Sequence, residues 1–355
     1  MDSYNIDSHK IHYHPERLAA WQRGEIVAPI YLEISPSGAC NCRCKFCGMD
    51  FIGYKKRFWD TDLLKGRVAR MGALGLKSIM YAGEGEPFLH PELADIIVHT
   101  QERGVDVAIT TNAIVMQPAI SEQILGHVSW IKASVNAGSS ETYATVHGVD
   151  GKKFSDAIKN LEQAAQIRSR KGHRCTLGMQ MVLLPENVQE AVPLAEMAKN
   201  IGMDYLVIKP YSQHPLSGNR DYEGLRYSDL LEMEERLAAL NTERFKVIFR
   251  SATMRKLEAE ERSFKHCLGL PFAGYVDTGG DMWGCLAYIS DKRFYFGNII
   301  TEDPEEVFYG KRRAEALRWA ATDLDVQQCR TNCRLDAVNT FLGQLDNPHH
   351  HVNFI

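Results

Sequence analysis

The sequence contains no apolar run approaching the roughly 20 residues that span a bilayer. Its opening residues, MDSYNIDSHKIHYHPERL, lack the apolar core a signal peptide needs. A membrane-spanning or secreted protein is therefore not expected, and the protein is expected to be cytoplasmic. An excess of charge of one sign is also missing. The 41 Lys and Arg residues face 45 Asp and Glu, a formal net charge of −4, so neither nucleic acid nor an anionic membrane is expected as a partner. A small-molecule substrate is expected, with a peptide second. No internal repeat or low-complexity tract is present. The triple histidine His349–His351 is followed by VNFI and is read as native sequence, not a tag.

What is present alternates. The strand-like runs PIYLEIS, KSIMYAG, DVAITTN, WIKASVN, TLGMQMVLL and YLVIKPY are separated by helical patterns. TDLLKGRVARMGALG opens on a capping Thr61 and closes on Gly75. HPELADIIVHTQERG closes on Gly104, with His90 expected to cap a helix beginning at Pro91. SDAIKNLEQAAQIRSRKG and VQEAVPLAEMAKNIG close in the same way on Gly172 and Gly202. Six strands alternating with helices over residues 28–240 argue for an α/β class with a parallel sheet, open or barrel-like.

Past Leu240 the texture changes. Helix-like MRKLEAEERSFK leads to a hairpin expected around Gly279-Gly280, between AGYV and MWGCLAY. The expected organisation is an N-terminal extension (1–27), a parallel α/β unit (28–245), a small α+β unit (246–340) and a tail (341–355). Disorder is the default for the tail, folding over the barrel mouth the alternative.

Nine cysteines in a chain read as cytosolic do not suit structural disulfides, because that compartment keeps thiols reduced. Metal or cluster ligation is the better reading. Four of them fall in GACNCRCKFCGMD, which parses as Cys40-x3-Cys44-x2-Cys47 with Cys42 between. Three thiolates at these offsets on one tight loop can converge on one face of an iron–sulfur cubane and leave its fourth iron open. Zinc is the competing reading; its usual second CxxC or His pair does not lie near this loop.

At these residues the sequence resembles the radical S-adenosylmethionine (SAM) superfamily, whose CxxxCxxC signature follows the first barrel strand. Cys40, Cys44 and Cys47 match it, with the aromatic Phe46 before the last cysteine. The segment GEGEP, from Gly83 through Glu84, Gly85 and Glu86 to Pro87, resembles the family's GGEP, which holds the cofactor's amino group. It departs in having Glu84-Gly85 where two glycines are usual. Asn112 in TTN, and Ser134 with Asn136 in KASVNAG, end the next two strands, where the family contacts ribose and carboxylate; Gln180 is a further candidate contact.

The resemblance covers residues 28–240. It implies a partial (β/α)6 TIM-like barrel, a [4Fe–4S] cluster with an open iron site, S-adenosyl-L-methionine, and an electron donor such as flavodoxin or ferredoxin. The chemistry needs these parts, because a sulfonium stable in water breaks at useful rates only with a strongly reducing electron delivered at short range. Cys42 lies off the three-ligand register, and a fourth thiolate would block the iron that binds the cofactor.

Four late cysteines remain to be placed: Cys267, Cys285, Cys329 and Cys333. Widely spaced thiols that converge suit a fully capped cluster or zinc. This part of the chain looks like the twitch version of a SPASM-type extension, which carries one auxiliary [4Fe–4S] cluster. The Cys267 segment, the Gly-Gly turn, Cys285, FGNI and the final pair match it, with Cys333 the least certain ligand because the pair is spaced CxxxC. Cys175 begins its strand and is read as a small buried hydrophobe.

Within the family, a second cluster accepts an electron from a substrate radical or positions the substrate. The residues before the first strand are too few for the leader-binding module of peptide-modifying relatives, so a small polar substrate, a carbohydrate or cyclitol, is expected to undergo net oxidation. Lys209, Tyr211 and His214 are the candidate catalytic groups. An epimerase or peptide maturase is the rival enzyme, and a non-enzymatic metal- or cluster-binding scaffold or sensor the rival from another class.

Overall fold

The computed structural model describes residues 4, 6, 8–259, 262 and 264–354. All six strand-like runs form strands: β1 (Tyr31–Ile34), β2 (Ser78–Tyr81), β3 (Asp106–Thr111), β4 (Trp130–Ser134), β5 (Thr176–Leu183) and β6 (Tyr205–Pro210). A seventh, β7 (Lys246–Phe249), pairs parallel with β6. The expected hairpin is β8 (Ala273–Val276) and β9 (Asp281–Trp283), and β10 (Tyr295–Asn298) adds to it antiparallel.

These form one sheet in the order β10-β9-β8-β1-β2-β3-β4-β5-β6-β7. Strands β8 and β1 to β7 run parallel, and the sheet stays open at β7 and β10. The six-strand expectation is therefore extended by β7 and by β8, which joins β1 in parallel register, Glu33 opposite Tyr275.

The helices are α1 (Pro15–Gln22), α2 (Thr61–Ala73), α3 (Leu93–Glu102), α4 (Pro118–Ile124), α5 (Ser140–His147), α6 (Lys152–Lys171), α7 (Ala191–Asn200), α8 (Met233–Ala238), α9 (Ser251–Ala259), α10 (Pro304–Tyr309), α11 (Lys311–Thr322) and α12 (Asp336–Asp346). None is long and apolar enough, among the described residues, to cross a membrane. The linking segment MRKLEAEERSFK contributes to α9; residues 260, 261 and 263 lie outside the described residues.

Two capping expectations are corrected. Asp60, not Thr61, caps α2, its carboxylate accepting the Leu63 N–H at 2.8 Å. The next helix starts at Leu93 rather than Pro91. His90 instead braces the approach, its Nδ1 accepting the Glu92 N–H (3.2 Å) while Nε2 donates to the Trp59 carbonyl (2.9 Å).

The strands sort their side chains by period two. Leu32, Ile34, Ile79, Tyr81, Val107, Ile109, Ile131, Ala133, Leu177, Met179, Leu206 and Ile208 point to the helices and form the main core. The alternate positions include Glu33, Thr110, Lys132, Ser134, Gln180 and Lys209, so the concave face of the sheet is polar. Its floor is aromatic: the Tyr205 ring lies across Gly178, where no Cβ would fit, and Tyr4 packs on Tyr205 at 5.0 Å.

The C-terminal elements are tied to the rest through buried polar contacts. Arg313 is fully buried and donates to the carbonyls of Val27 (2.9 Å), Phe308 (2.6 Å) and Pro271 (2.7 Å). Residues 341–346, expected to start a tail, complete α12, whose Leu342 and Phe341 pack with Leu18 and Trp21 of α1. Residues 347–354 beyond it are exposed turns.

Candidate functional site

The loop after β1 carries four cysteines and is held from several sides. Arg43 and Lys45 donate backbone N–H groups to the carbonyls of His147 (2.8 Å) and Val146 (3.0 Å) at the end of α5. Asn219 Nδ2 donates to the Lys45 carbonyl (2.7 Å), and the Glu86 N–H donates to the carbonyl of Ala39 (2.8 Å). Gly85 lies so close that a Cβ there would overlap the Ala39 carbonyl and stand 2.6 Å from that of Ser37. This close approach explains why GEGEP has glycine at 85.

Within the loop the Cys42 N–H donates to Cys40 Sγ at 3.5 Å. Cys44 Sγ lies 3.2 Å from His147 Nδ1, and the ligand atoms of Cys42, Cys44 and His147 all fall within 4.8 Å of one another. Cys47 is hydrogen-bonded to Tyr54 and lies within electrostatic reach of Cys40. The Cys42 side chain and burial push the Cys40 thiol up, and burial pushes Cys47 up. Ligation would therefore release protons from desolvated thiols. All nine cysteines are free. Clustered, desolvated sulfur donors fit an iron–sulfur group.

Cys42, off the three-ligand register, is buried, with its sulfur 3.5 Å from Asn112 Nδ2 and within 4.8 Å of the ligand atoms of Cys44 and His147. His147 was not anticipated. Its ring stacks on Tyr143 at 4.2 Å and meets the edge of Phe46 at 5.5 Å; burial lowers its pKa to about 4. Nε2 faces the Val135 carbonyl at 2.8 Å and carries the hydrogen, leaving Nδ1 to accept from Cys44. The only sequence cue was a histidine directly before Gly148, which closes α5 at φ 61°.

The two glutamates of GEGEP face different neighbours. Buried Glu86 accepts from Thr111 Oγ1 (2.5 Å), the Asn112 N–H (2.7 Å) and the Phe88 N–H (3.2 Å), and burial raises its pKa to about 7. Glu84 turns to the β8–β9 hairpin, accepting from Thr278 Oγ1 (2.5 Å), which in turn accepts from Arg57 (2.8 and 3.0 Å). Burial raises the Glu84 carboxyl as well. Gly83, at φ 109°, lets the chain turn just before Glu84. Substituting Thr278→Val leaves Glu84 and Arg57 without their shared hydroxyl. It is expected to cost about 1–3 kcal/mol, read as a lower urea midpoint.

The remaining candidates divide between strut and cavity wall. Asn136 (φ 57°) accepts the Val182 N–H at 2.7 Å and gives its carbonyl to Asn187, joining the ends of β4 and β5. Asn112 donates to Asn41 at 2.6 Å beside Cys42. Gln180 and Ser134 are neighbours across β4 and β5, 3.4 Å apart, on the concave face, where Lys209 also stands. Tyr211 donates to Gln213 (2.8 Å). Both ring nitrogens of His214 are engaged by backbone, Nδ1 accepting from Leu216 (3.1 Å) and Nε2 facing the Leu286 carbonyl (3.2 Å). His214 also stacks on Phe51 at 5.1 Å, so it bridges the first cysteine loop and the segment after Cys285.

The late cysteines converge. Cys267 is close enough to Cys333, Cys285 and Cys329 for each thiolate to raise its pKa, after burial, and burial pushes Cys333 up to about 12. Tyr288 hydroxyl donates to Cys329 Sγ at 3.5 Å, and Leu270, Phe294 and Trp319 pack around Cys267 and Cys285. Among the described residues only the Cys42, Cys44, His147 trio meets the 4.8 Å spacing of a single-ion site. Cys175 is buried, as expected.

Over 208 residues the chain is 27% identical to the probable GTP 3′,8-cyclase of Saccharolobus solfataricus, covering 58% of this chain and 63% of that protein. It is 26% identical over 186 residues to the tungsten-containing aldehyde ferredoxin oxidoreductase cofactor-modifying protein of Pyrococcus furiosus, covering half of each. The chain thus matches less than two thirds of the length of either relative. Its fold is similar to SuiB of Streptococcus suis, with a TM-score of 0.65 at 17% identity over 84% of this chain and 70% of that one. It also resembles anSMEcpe with bound AdoMet, with a TM-score of 0.60 at 18% identity over 82% and 84%. The model of the Radical SAM superfamily matches residues 34–198, the span from β1 to α7 that carries the cysteine loop, GEGEP and the ends of β3 to β5, and these residues are a radical SAM domain.

Proposed function

We propose that this enzyme uses its radical SAM domain to take a hydrogen atom from a small polar substrate lying on the concave face of the sheet. Net oxidation would follow with the help of an auxiliary [4Fe–4S] cluster at Cys267, Cys285, Cys329 and Cys333. The family's [4Fe–4S] cluster supplies the low-potential electron that splits SAM into methionine and a 5′-deoxyadenosyl radical. Cys40, Cys44 and Cys47 would hold that cluster, and Glu86, Asn112, Ser134 and Gln180 would line the cofactor. The observation that supports this reading is the polar concave face, which the segment of the late cysteines meets through Arg330 at Ser212 and Arg334 at Glu33.

The atoms balance without another oxidant. SAM would be the oxidant: the substrate would give up one hydrogen atom and then a proton, and its remaining electron, passed through a cluster held by the late cysteines, would replace the electron spent in cleaving SAM. The substrate thus loses two hydrogens overall. His214 is a positioning residue here, since both its nitrogens serve backbone groups. A carbohydrate or cyclitol alcohol suits such a reaction. A nucleotide cyclisation is the second reading, favoured by the alignment with the GTP 3′,8-cyclases.

Anaerobically reconstituted protein, strongly reduced and incubated with SAM and candidate substrates, is expected to release 5′-deoxyadenosine and a product two mass units lighter. An unchanged product mass with one solvent deuterium would point instead to epimerisation or rearrangement. No 5′-deoxyadenosine from protein that holds its full iron would overturn the enzyme reading.

A further inference from the structure

The chain is acidic overall, yet the concave face gathers cations. Lys132 of β4 and Lys209 of β6 stand on it, and Arg250 follows β7, its N–H donating to the Ile208 carbonyl (3.0 Å) beside Lys209. Arg330 and Arg334, from the segment of the last two cysteines, reach in from the opposite side. Arg330 donates to Ser212 (2.9 and 3.3 Å), and Arg334 pairs with Glu33 of β1 and approaches Tyr31.

Among the described residues the acid that meets these cations is Glu33, which pairs with Arg334. Burial and the cations Arg334 and Arg250 hold Lys132 down to about 8, with Glu33 as the one opposing carboxylate. Burial and then Lys132, Arg250, Arg334 and Arg330 lower Lys209 well below the ordinary lysine value, with no acid among these influences. Like charges brought together away from bulk water destabilise the empty fold, and such an arrangement becomes favourable when an anion is bound.

We infer that this face, between the two cysteine groups, binds a multiply charged oxyanion of the substrate, with Lys132, Lys209 and Arg330 as its clamp. An arginine fork suits planar or tetrahedral oxygen pairs, and among the described residues Glu33 is already paired with Arg334, which leaves Lys132, Lys209 and Arg330 facing the anion. This rests on the proposed radical SAM function and narrows its substrate class: the polar substrate carries a phosphoryl or polycarboxylate group, not neutral hydroxyls alone.

Calorimetric titration of the anaerobically reconstituted full chain with inorganic pyrophosphate and, separately, citrate tests this. At least one is expected to bind with Kd below about 1 mM, the tighter one identifying the source of the charge. Lys132→Met and Lys209→Met are each expected to weaken that binding by at least about tenfold. Melting provides a control that misfolding could not mimic: Lys132→Met should raise the Tm of the anion-free protein, because a like charge is gone, and shrink the rise caused by the anion. Absence of binding by both anions would overturn the inference, as would unchanged binding by both variants. Loss of iron from the variants in place of lost anion binding would overturn it too, assigning the cations to the late cluster. Cleavage of SAM, assayed in parallel without anion, keeps the two readings separate: cleavage without anion binding overturns the substrate class alone. Anion binding without cleavage upholds the clamp and overturns the radical reading.

Discussion

Replacing Cys44 with alanine is expected to reduce 5′-deoxyadenosine formation to background and to remove the visible absorbance of the first cluster, whereas Cys42→Ala should retain both. The asymmetry follows from coordination. A cubane held by three thiolates keeps one iron for the cofactor, and a fourth protein sulfur on that iron would close it. The geometry makes the test sharper than the spacing did, because Cys42 is buried with its sulfur within 4.8 Å of the ligand atoms of Cys44 and His147. If Cys42→Ala proves as inactive as Cys44→Ala while its folding is intact, the three-ligand assignment fails. Cys42 or His147, whose Nδ1 lies 3.2 Å from Cys44 Sγ, would then replace Cys47 as a ligand.

A single methyl group at residue 85 is expected to uncouple the two halves of the site. In Gly85→Ala the new Cβ would overlap the Ala39 carbonyl, so the GEGEP turn must withdraw and the Glu86 N–H to Ala39 bond is strained or lost. Overpacking of this kind costs about 1–3 kcal/mol. The larger effect should be on function, since Glu86 and the cysteine loop meet at this contact. Equilibrium binding of SAM to the reconstituted variant should weaken by about tenfold or more, as expected when one charge-assisted contact is misplaced. Unchanged affinity would show that Glu86 does not line the cofactor. The melting temperature separates this from global unfolding.

Much of the site was legible because it is local. The cysteine spacing, GEGEP and the strand-end residues each occupy a short segment, and period-two alternation marked the six main strands. What the sequence hid is what depends on pairing across long separations. The four-residue β7 was passed over because it follows a change of texture at Leu240, and AGYV read as a simple hairpin arm although it also pairs with β1. The cationic clamp combines residues from 132 to 330, each unremarked alone. His147 had no periodic cue, and the strut that Asn136 forms by accepting the Val182 N–H across two strands was not foreseen. The backbone partners of both His214 nitrogens, Leu216 and Leu286, likewise come from pairings the sequence does not display.

The parallel pairing of β8 with β1 has a consequence for how the chain is made. Strand β1 ends at Ile34, but its second neighbour begins only at Ala273, so one edge of β1 stays bare while nearly the whole radical SAM domain emerges from the ribosome. Such an edge, a row of unsatisfied donors and acceptors, invites pairing with other chains. The cysteine loop follows directly from it. Completion of the C-terminal hairpin is therefore a late step that shields the nascent sheet, and insertion of iron before that point would reach a loop whose supporting strand is still half open.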